Sequence, residues 1–141
     1  ALYQALLATG ELEKEQALEM MKLIMPGAAR SYLESSWFRR TSLGFLGKSK
    51  MMASMSAKAF VALDEELGWK ATLPETDAHW AFDIHQCGLV LYLTEQGAPE
   101  LCPVFCECDI AVAELMKGLR FERSGTLAEG APICDFRYYR T

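Results

Sequence analysis

The sequence lacks any long hydrophobic run. Its longest uncharged apolar stretch, residues 84–94, contains a His and a Gln, whereas a helix needs about 20 apolar residues to cross a bilayer. We therefore expect no membrane-spanning segment. The composition, 51% hydrophobic and 23% charged, also excludes a disordered or collagen-like chain and is typical of a globular domain.

Excess positive charge is lacking too. The formal net charge is -5 and the pI is near 5.1, and the pair Arg39 and Arg40 is too small to form a basic footprint. Nucleic acid is therefore excluded as a partner. We also expect no interaction with a membrane surface, and the one partner that the sequence predicts is a small-molecule substrate. The oligomeric state stays open, a homo-oligomer included.

A disulfide framework is also missing. Five cysteines are an odd number, and Cys102, Cys106 and Cys108 crowd into seven residues. This favours a reducing, cytoplasmic location. The chain begins at Ala1 with no secretory segment, so we expect that the true start lies upstream.

The spacing of the cysteines does not match a metal-binding motif. There is no C-x-x-C pair, and Cys102 with Cys106 would need distant ligands such as Cys87 or Cys134 to complete a tetrahedral zinc site. We therefore assign no metal ligand and no cofactor.

The first part of the chain, residues 1–68, is predicted to be helical. Apolar periodicity predicts helices over residues 1–8, 11–25 and 43–67, the second of which stops at Pro26 and Gly27. The methionines are interpreted as core filling. Residues 70–77 contain Pro74 and no periodic signal, so they are predicted to be a connecting loop.

The second part, residues 78–141, combines the alternating pattern of strands with the periodicity of helices. Alternating apolar residues predict strands at residues 80–85, 119–124 and 133–139. Helices are predicted at residues 89–95 and 103–116, ended by Gly97 and Gly118, with a short turn at Pro99 before the second helix. We therefore expect one α+β domain over residues 1–141. Its helical N-terminal half packs on a small, largely antiparallel sheet with two or three further helices.

Cys106 and Asp109 form the first candidate site. Three residues apart on a helix, they share a face, whereas Cys108 belongs to another face. If the helix starts at Pro103, Cys106 lies in its first turn, where the positive end of the helix dipole favours a thiolate. The alternative is that Cys106 is a small buried hydrophobic residue.

The last strand carries the second candidate. Period two places Cys134, Phe136 and Tyr138 on one face, and Asp135 with Arg137 on the other. Asp135 and Arg137 are expected to form a modest ion pair. Alternatively, Arg137 binds a substrate carboxylate and Asp135 orients it, and the two interpretations are compatible.

The third candidate is the glycine-framed segment between the last strands. Thr126 and Glu129 have capping-box spacing, which predicts one helical turn before Gly130. Its N–H groups could hold an anion, or the turn could be purely structural. His79 and His85 are interpreted as satisfied polar groups, with His85 on the same strand face as Asp83.

Taken together, these motifs resemble the L-2-amino-thiazoline-4-carboxylic acid hydrolase family. The resemblance rests on Cys87, residues 97–103, the Cys106-x-x-Asp109 pair, residues 123–130 and residues 134–137. It implies hydrolytic opening of a cyclic thiazoline amidine on a route to L-cysteine. The motif positions of the family fall on Cys87, Cys106, Asp109, Thr126, Gly130, Cys134, Asp135 and Arg137. Two departures are Cys108, which is an extra cysteine, and Ile84-His-Gln86 before Cys87.

These residues predict a mechanism in one pocket. Cys106 or Cys134 is the nucleophile if catalysis is covalent, and Asp109 is the general base or the amidinium partner. Arg137, steadied by Asp135, takes the substrate carboxylate, and the turn from Thr126 to Gly130 offers N–H groups to developing negative charge. The alternatives are a small-molecule-binding or sensory module with the same pocket, and a structural partner subunit.

Overall fold

The computed structural model describes residues 2–36, 41, 48–63 and 68–141. Within the described residues, the helices that come before the sheet include α1 (Leu2–Ala8), α2 (Lys14–Glu34) and α3 (Lys50–Leu63). The predicted ends of the third helix, residues 43–47 and 64–67, lie outside the described residues. Within the described ranges, no helix combines the length and apolar character that a membrane crossing requires.

A four-stranded sheet follows. Its strands are β1 (Lys70–Thr72), β2 (Trp80–Gln86), β3 (Leu119–Glu122) and β4 (Cys134–Arg140). They lie in the order β1-β2-β4-β3, and every neighbouring pair is antiparallel. Helix α4 (Gly88–Glu95), a 3-10 turn (Pro99–Leu101) and helix α5 (Cys102–Ala113) connect β2 to β3. The predicted α+β class with a small antiparallel sheet is therefore confirmed.

The apolar positions form two clusters. The first joins α1, α2, α4 and the start of α5 through residues that include Tyr3, Met21 and Val104. The second lies on the inner face of the sheet, which we define by its side chains Phe82, Ile84, Cys134, Phe136 and Tyr138, and it includes residues from α3 and the end of α5. Helix α5 contributes to both clusters, and this fixes its position over the sheet.

The outer face of the sheet carries the alternating polar side chains. Asp83, His85, Asp135 and Arg137 lie there, opposite the apolar residues of β2 and β4. The Nε2 atom of His85 lies 2.8 Å from Oγ1 of Thr72 on β1, which agrees with a satisfied polar role. Period two therefore assigned both faces of β4 correctly.

Two boundary predictions are wrong. Helix α2 does not stop at Pro26 and Gly27 but runs on to Glu34. Packing of α2 along α5 and the ion pair between Arg30 and Glu114 support its last turns, and such tertiary contacts offset the helix-breaking effect of proline. Residues 70–72, predicted to lie in a loop, form β1, because the hydrogen-bonded ladder with β2 stabilises a strand too short to show periodicity.

Candidate active site

A cavity of about 250 Å³ lies between α3, α5 and the inner face of the sheet. Its wall is mainly apolar and aromatic. The described residues that line it are Phe60, Trp69, Trp80, Phe82, Ile84, Cys87, Leu89, Phe105, Cys106, Asp109, Val112, Met116, Cys134, Phe136 and Tyr138. A largely apolar, concave cavity with few polar groups is the usual form of a small-molecule site.

Four of the predicted site residues meet in this cavity. Cys106 and Asp109 enter from one face of α5, Cys134 from the first position of β4, and Cys87 from the residue before α4. The expected convergence of Cys106 and Asp109 is thus seen in the structure. Cys108 is buried on another face of α5, where its thiol donates to the carbonyl oxygen of Val104 at 3.5 Å.

Asp109 is held by an arginine that the sequence analysis did not assign to the site. The Nη1 atom of Arg123 donates to Oδ2 of Asp109 at 3.0 Å and to the carbonyl oxygen of Cys106 at 3.3 Å. The guanidinium packs over the rings of Phe121 and Phe136 at 5.8 and 5.6 Å. These contacts fix the guanidinium and, through it, the carboxylate of Asp109.

The charge state of Asp109 reflects two opposing effects. Burial raises its pKa to about 6, although the guanidinium of Arg123 acts in the opposite direction. The side chain of Asp109 nevertheless keeps 41% of its surface accessible while that of Arg123 keeps 9%. Asp109 is therefore the partner that a molecule in the cavity can reach, and its carboxyl titrates close to neutral pH.

The cavity thiols are protonated at neutral pH. Burial raises the pKa of Cys106 to about 12, and the hydroxyl of Thr126 lowers it only in part. Burial likewise raises the pKa values of Cys134 and Cys87. The predicted thiolate at Cys106 is wrong because burial raises the pKa of its thiol more than neighbouring groups lower it. Helix α5 also starts at Cys102, so Cys106 lies just after the first turn, where the helix dipole stabilises a thiolate less.

Asp135 and Arg137 lie on the other side of the sheet. The Nη2 atom of Arg137 forms an ion pair with Oδ1 of Asp83 at 2.6 Å, and Asp135 accepts hydrogen bonds from the amides of Ser124 and Gly125. The predicted Asp135–Arg137 pair is therefore wrong. Both side chains line an open cleft of about 690 Å³ instead of the cavity. The structure does not bring them together with Cys106 and Asp109.

The segment from Thr126 to Gly130 forms the predicted single turn. The Thr126 hydroxyl accepts from the amide of Glu129 at 3.2 Å and donates to the Glu129 carboxylate at 2.7 Å, and Gly130 ends the turn with φ 87°. The amide of Leu127 donates to the sulfur of Cys134 at 3.1 Å. Because the amides of Leu127, Glu129, Gly130 and Ala131 already have acceptors, the structural interpretation of this turn is favoured over anion binding.

Tyr138 is a second residue of the cavity to which the sequence analysis gave no role. It is 4% exposed, and its hydroxyl forms no hydrogen bond with the part of the chain that the structure describes. The alternation along β4 placed Tyr138 on the face of Cys134. The same alternation, continued past the end of β3 from Phe121, puts Arg123 on the inner side, although the sequence analysis did not use it. The faces of both residues were therefore readable, but their proximity to Asp109 depends on long-range packing.

A metal-binding cluster is not seen in residues 2–36, 41, 48–63 and 68–141. Across these residues, no three His, Cys, Asp or Glu side chains come together in a way that could hold a metal ion. His79 has its own partner, since its Nδ1 accepts from Nε of Arg140 at 3.2 Å. The polar groups among the described lining residues are one carboxylate, three thiols, a phenol and two indole N–H groups.

Fold and cavity together define a class: a small α+β domain with a mainly apolar cavity, lined by three cysteines and one accessible carboxylate. The model of one family, L-2-amino-thiazoline-4-carboxylic acid hydrolase, matches residues 1–138. The chain belongs to the L-2-amino-thiazoline-4-carboxylic acid hydrolase family. No curated protein and no solved structure matches it.

Proposed function

We propose that the protein hydrolyses a small cyclic amidine that carries a carboxylate, such as a 2-aminothiazoline carboxylate, in the cavity around Asp109. The observation that carries this proposal is the accessible Asp109 carboxylate in an otherwise mainly apolar cavity, paired with the buried Arg123. A protonated amidine presents two parallel N–H donors, which match the two oxygens of a carboxylate in charge and geometry.

The size of the cavity supports a small substrate. At about 250 Å³, it is just below the range of roughly 300 to 1,000 Å³ that is usual for sites of drug-sized ligands. Its aromatic wall, which includes Phe82 and Phe136, suits a flat ring that carries positive charge. A single five-membered heterocycle with two short substituents fits these limits.

Asp109 would act as the general base in this reaction. The oxygen of water bonds to the amidine carbon, and Asp109 takes a proton from that water. The bond between this carbon and the ring sulfur then breaks, and its electron pair goes to the sulfur, which receives the proton back. One water is consumed, and the products are a thiol and a urea group on the same molecule.

Attack by water is favoured over attack by a cysteine. Because burial raises the pKa of Cys106 to about 12, a carboxylate with a pKa of about 6 is a weak base toward that thiol. In this proposal Cys87, Cys106 and Cys134 shape the cavity, and the roles first predicted for Asp135 and Arg137 become structural.

A binding module without catalysis is the second candidate. It is favoured by the same protonated thiols, since none of the three cysteines that line the cavity has the lowered pKa of a reactive cysteine. In that case Asp109 would hold the amidine and no bond would break. Product formation separates the two functions.

The test is an assay of ring opening. The protein is incubated with 2-amino-2-thiazoline-4-carboxylate, and the ring-opened thiol is measured by mass spectrometry. Asp109→Asn should lower turnover by about 100-fold or more, because general bases contribute on the order of 10²–10⁴ to the rate. The matched control is Glu107→Gln, an exposed carboxyl on the same helix, which should change turnover less than twofold. Ring opening at the wild-type rate in Asp109→Asn would remove Asp109 from the mechanism.

A further inference from the structure

Among the residues that the structure describes, the cavity wall offers no cation for a substrate carboxylate. Among the described lining residues Asp109 is the only charged side chain, and its partner Arg123 lies behind it. Arg137, the residue first expected to bind a carboxylate, is on the outer face of the sheet and paired with Asp83. A zwitterionic ligand therefore needs another group for its negative end.

Tyr138 offers a hydrogen-bond donor in the right place. It lines the cavity from β4, and its hydroxyl donates to no described residue. Burial raises the pKa of Tyr138, and the charges of Asp109 and Arg123 both act on it. The phenol therefore stays protonated at neutral pH, lies within electrostatic reach of the Asp109–Arg123 pair, and can donate a hydrogen bond without losing its proton.

Trp80 provides a second, independent observation at the same end of the cavity. It is the cross-strand partner of Tyr138, and the two ring centroids lie 4.6 Å apart. Its Nε1–H is buried and has no acceptor in the part of the chain that the structure describes. A buried donor that lacks an acceptor is uncommon and costly. The Trp80 N–H, next to a Tyr138 hydroxyl that donates to no described residue, therefore indicates a place for an acceptor from outside the chain.

We infer that the Tyr138 hydroxyl binds the carboxylate of the ligand while Asp109 binds its amidinium edge, so that Tyr138 selects carboxylated over uncarboxylated cyclic amidines. Arg123 offsets part of the repulsion between the Asp109 carboxylate and a ligand carboxylate at Tyr138, because its positive charge acts on the phenol in the opposite direction to that of Asp109. This inference rests on the proposed function for the choice of ligand, but it concerns binding and requires no turnover.

Stopped-flow tryptophan fluorescence provides the test, because Trp69 and Trp80 line the cavity and binding can be read before turnover. Two probes are compared, 2-amino-2-thiazoline-4-carboxylate and 2-amino-2-thiazoline, which lacks the carboxylate. Tyr138→Phe should weaken binding of the first about tenfold or more and that of the second less than twofold, because a hydrogen bond to a charged group is lost only with the first. Tyr139→Phe, on the outer face, is the matched control and should change neither.

Equal weakening of both probes by Tyr138→Phe would mean that the residue acts through packing and would overturn the inference. Unchanged binding of both would overturn it as well. If Tyr138→Phe weakens binding of the carboxylated probe alone, but the wild-type protein releases no ring-opened product, the proposed hydrolysis fails while the role of Tyr138 stands. If ring opening occurs but Tyr138→Phe affects binding of both probes alike, the role of Tyr138 fails while the proposed hydrolysis stands.

Discussion

Asp109 and Arg123 form the pair on which the chemistry of the cavity depends. The carboxylate is the reachable member, and the guanidinium, bonded to the Cys106 carbonyl and packed on two aromatic rings, is the fixed member. Arg123 is thus a positioning residue: it acts on the substrate through the orientation and charge of Asp109.

The pH dependence of ring opening should reflect the pKa of Asp109 and the effect of Arg123 on it. Because the base form of Asp109 is required and its pKa is about 6, the rate should fall as the pH drops below about 6 and level off above about 7. Arg123→Gln removes the charge that lowers this pKa, so the acid limb should move to higher pH. Initial rates between about pH 4.5 and 8.5 measure the shift.

The matched control for this experiment is Arg120→Gln. Arg120 lies on β3, three residues before Arg123 in the chain. Because its side chain is exposed and paired with Glu122, its loss should leave the acid limb in place. An acid limb that does not move in Arg123→Gln would show that the guanidinium does not set the charge state of Asp109.

Asp83 and Arg137 form a second carboxylate–guanidinium pair, which lies on the outer face of the sheet and has a structural role. Their side chains are 14% and 19% exposed, and the contact is a close ion pair rather than a well-aligned hydrogen bond. Asp83→Asn should lower the free energy of unfolding by roughly 2 kcal/mol, because it leaves a largely buried guanidinium without its counter-charge. Urea denaturation measures the loss.

Glu122→Gln is the control for the Asp83 variant, since Glu122 forms an exposed ion pair on the neighbouring strand and such pairs contribute about 0 to 1 kcal/mol. Equal, small effects of both substitutions would show that the Asp83–Arg137 pair is no more important than a surface contact.

At the scale of elements, α2 is the helix that departs most from its sequence signals. Pro26 and Gly27 lie inside it, and a Cβ on Gly27 would meet no described atom within 4 Å outside its chain neighbours and the adjacent turns of its own helix. Pro26→Ala should raise the free energy of unfolding by about 1 to 3 kcal/mol, because it restores a backbone N–H and removes the clash with the preceding turn. Thermal or urea unfolding, followed by circular dichroism, measures the gain.

Gly27→Ala serves as the companion variant for α2. It should stabilise by about 0.5 to 1 kcal/mol through the lower backbone entropy of alanine alone. If Pro26→Ala stabilises no more than Gly27→Ala, or destabilises the protein, then the proline is not a strained position of this helix.

Short-range sequence patterns correctly predicted strand faces, one turn and one helix face. The alternation in β4 gave both of its faces, the spacing of Thr126 and Glu129 gave the single turn, and the three-residue spacing of Cys106 and Asp109 gave their common face. Each of these features depends on residues a few positions apart. The family resemblance was confirmed by a family model that matches residues 1–138.

Pairings between distant residues could not be read in this way. Asp135 and Arg137 are neighbours on one strand face, yet each finds its partner on another segment. Arg137 pairs diagonally with Asp83 on β2, whose direct cross-strand partner is Asp135, and Asp135 accepts from the β3–β4 connection. The same limit hid the contact of Arg123 with Asp109. The extension of α2 past Pro26 likewise depends on its packing against α5.

For the whole molecule, α5 is the element that links fold and site. Its first residues, Cys102 and Val104, belong to the cluster with α1 and α2, and Ala113 near its end belongs to the cluster on the sheet. Cys106 and Asp109 lie between these two anchors and face the cavity. The helical N-terminal part therefore holds the helix that presents the carboxylate.

The central claim is that a cyclic amidine carboxylate occupies the cavity between Asp109 and Tyr138. A crystal structure of the protein with 2-amino-2-thiazoline-4-carboxylate or its ring-opened product tests it most directly. We predict a bound molecule whose nitrogen atoms lie within hydrogen-bond distance of the Asp109 carboxylate and whose carboxylate faces the Tyr138 hydroxyl. A molecule bound instead in the outer cleft beside Asp135 and Arg137, with the cavity around Asp109 free of it, would contradict the account.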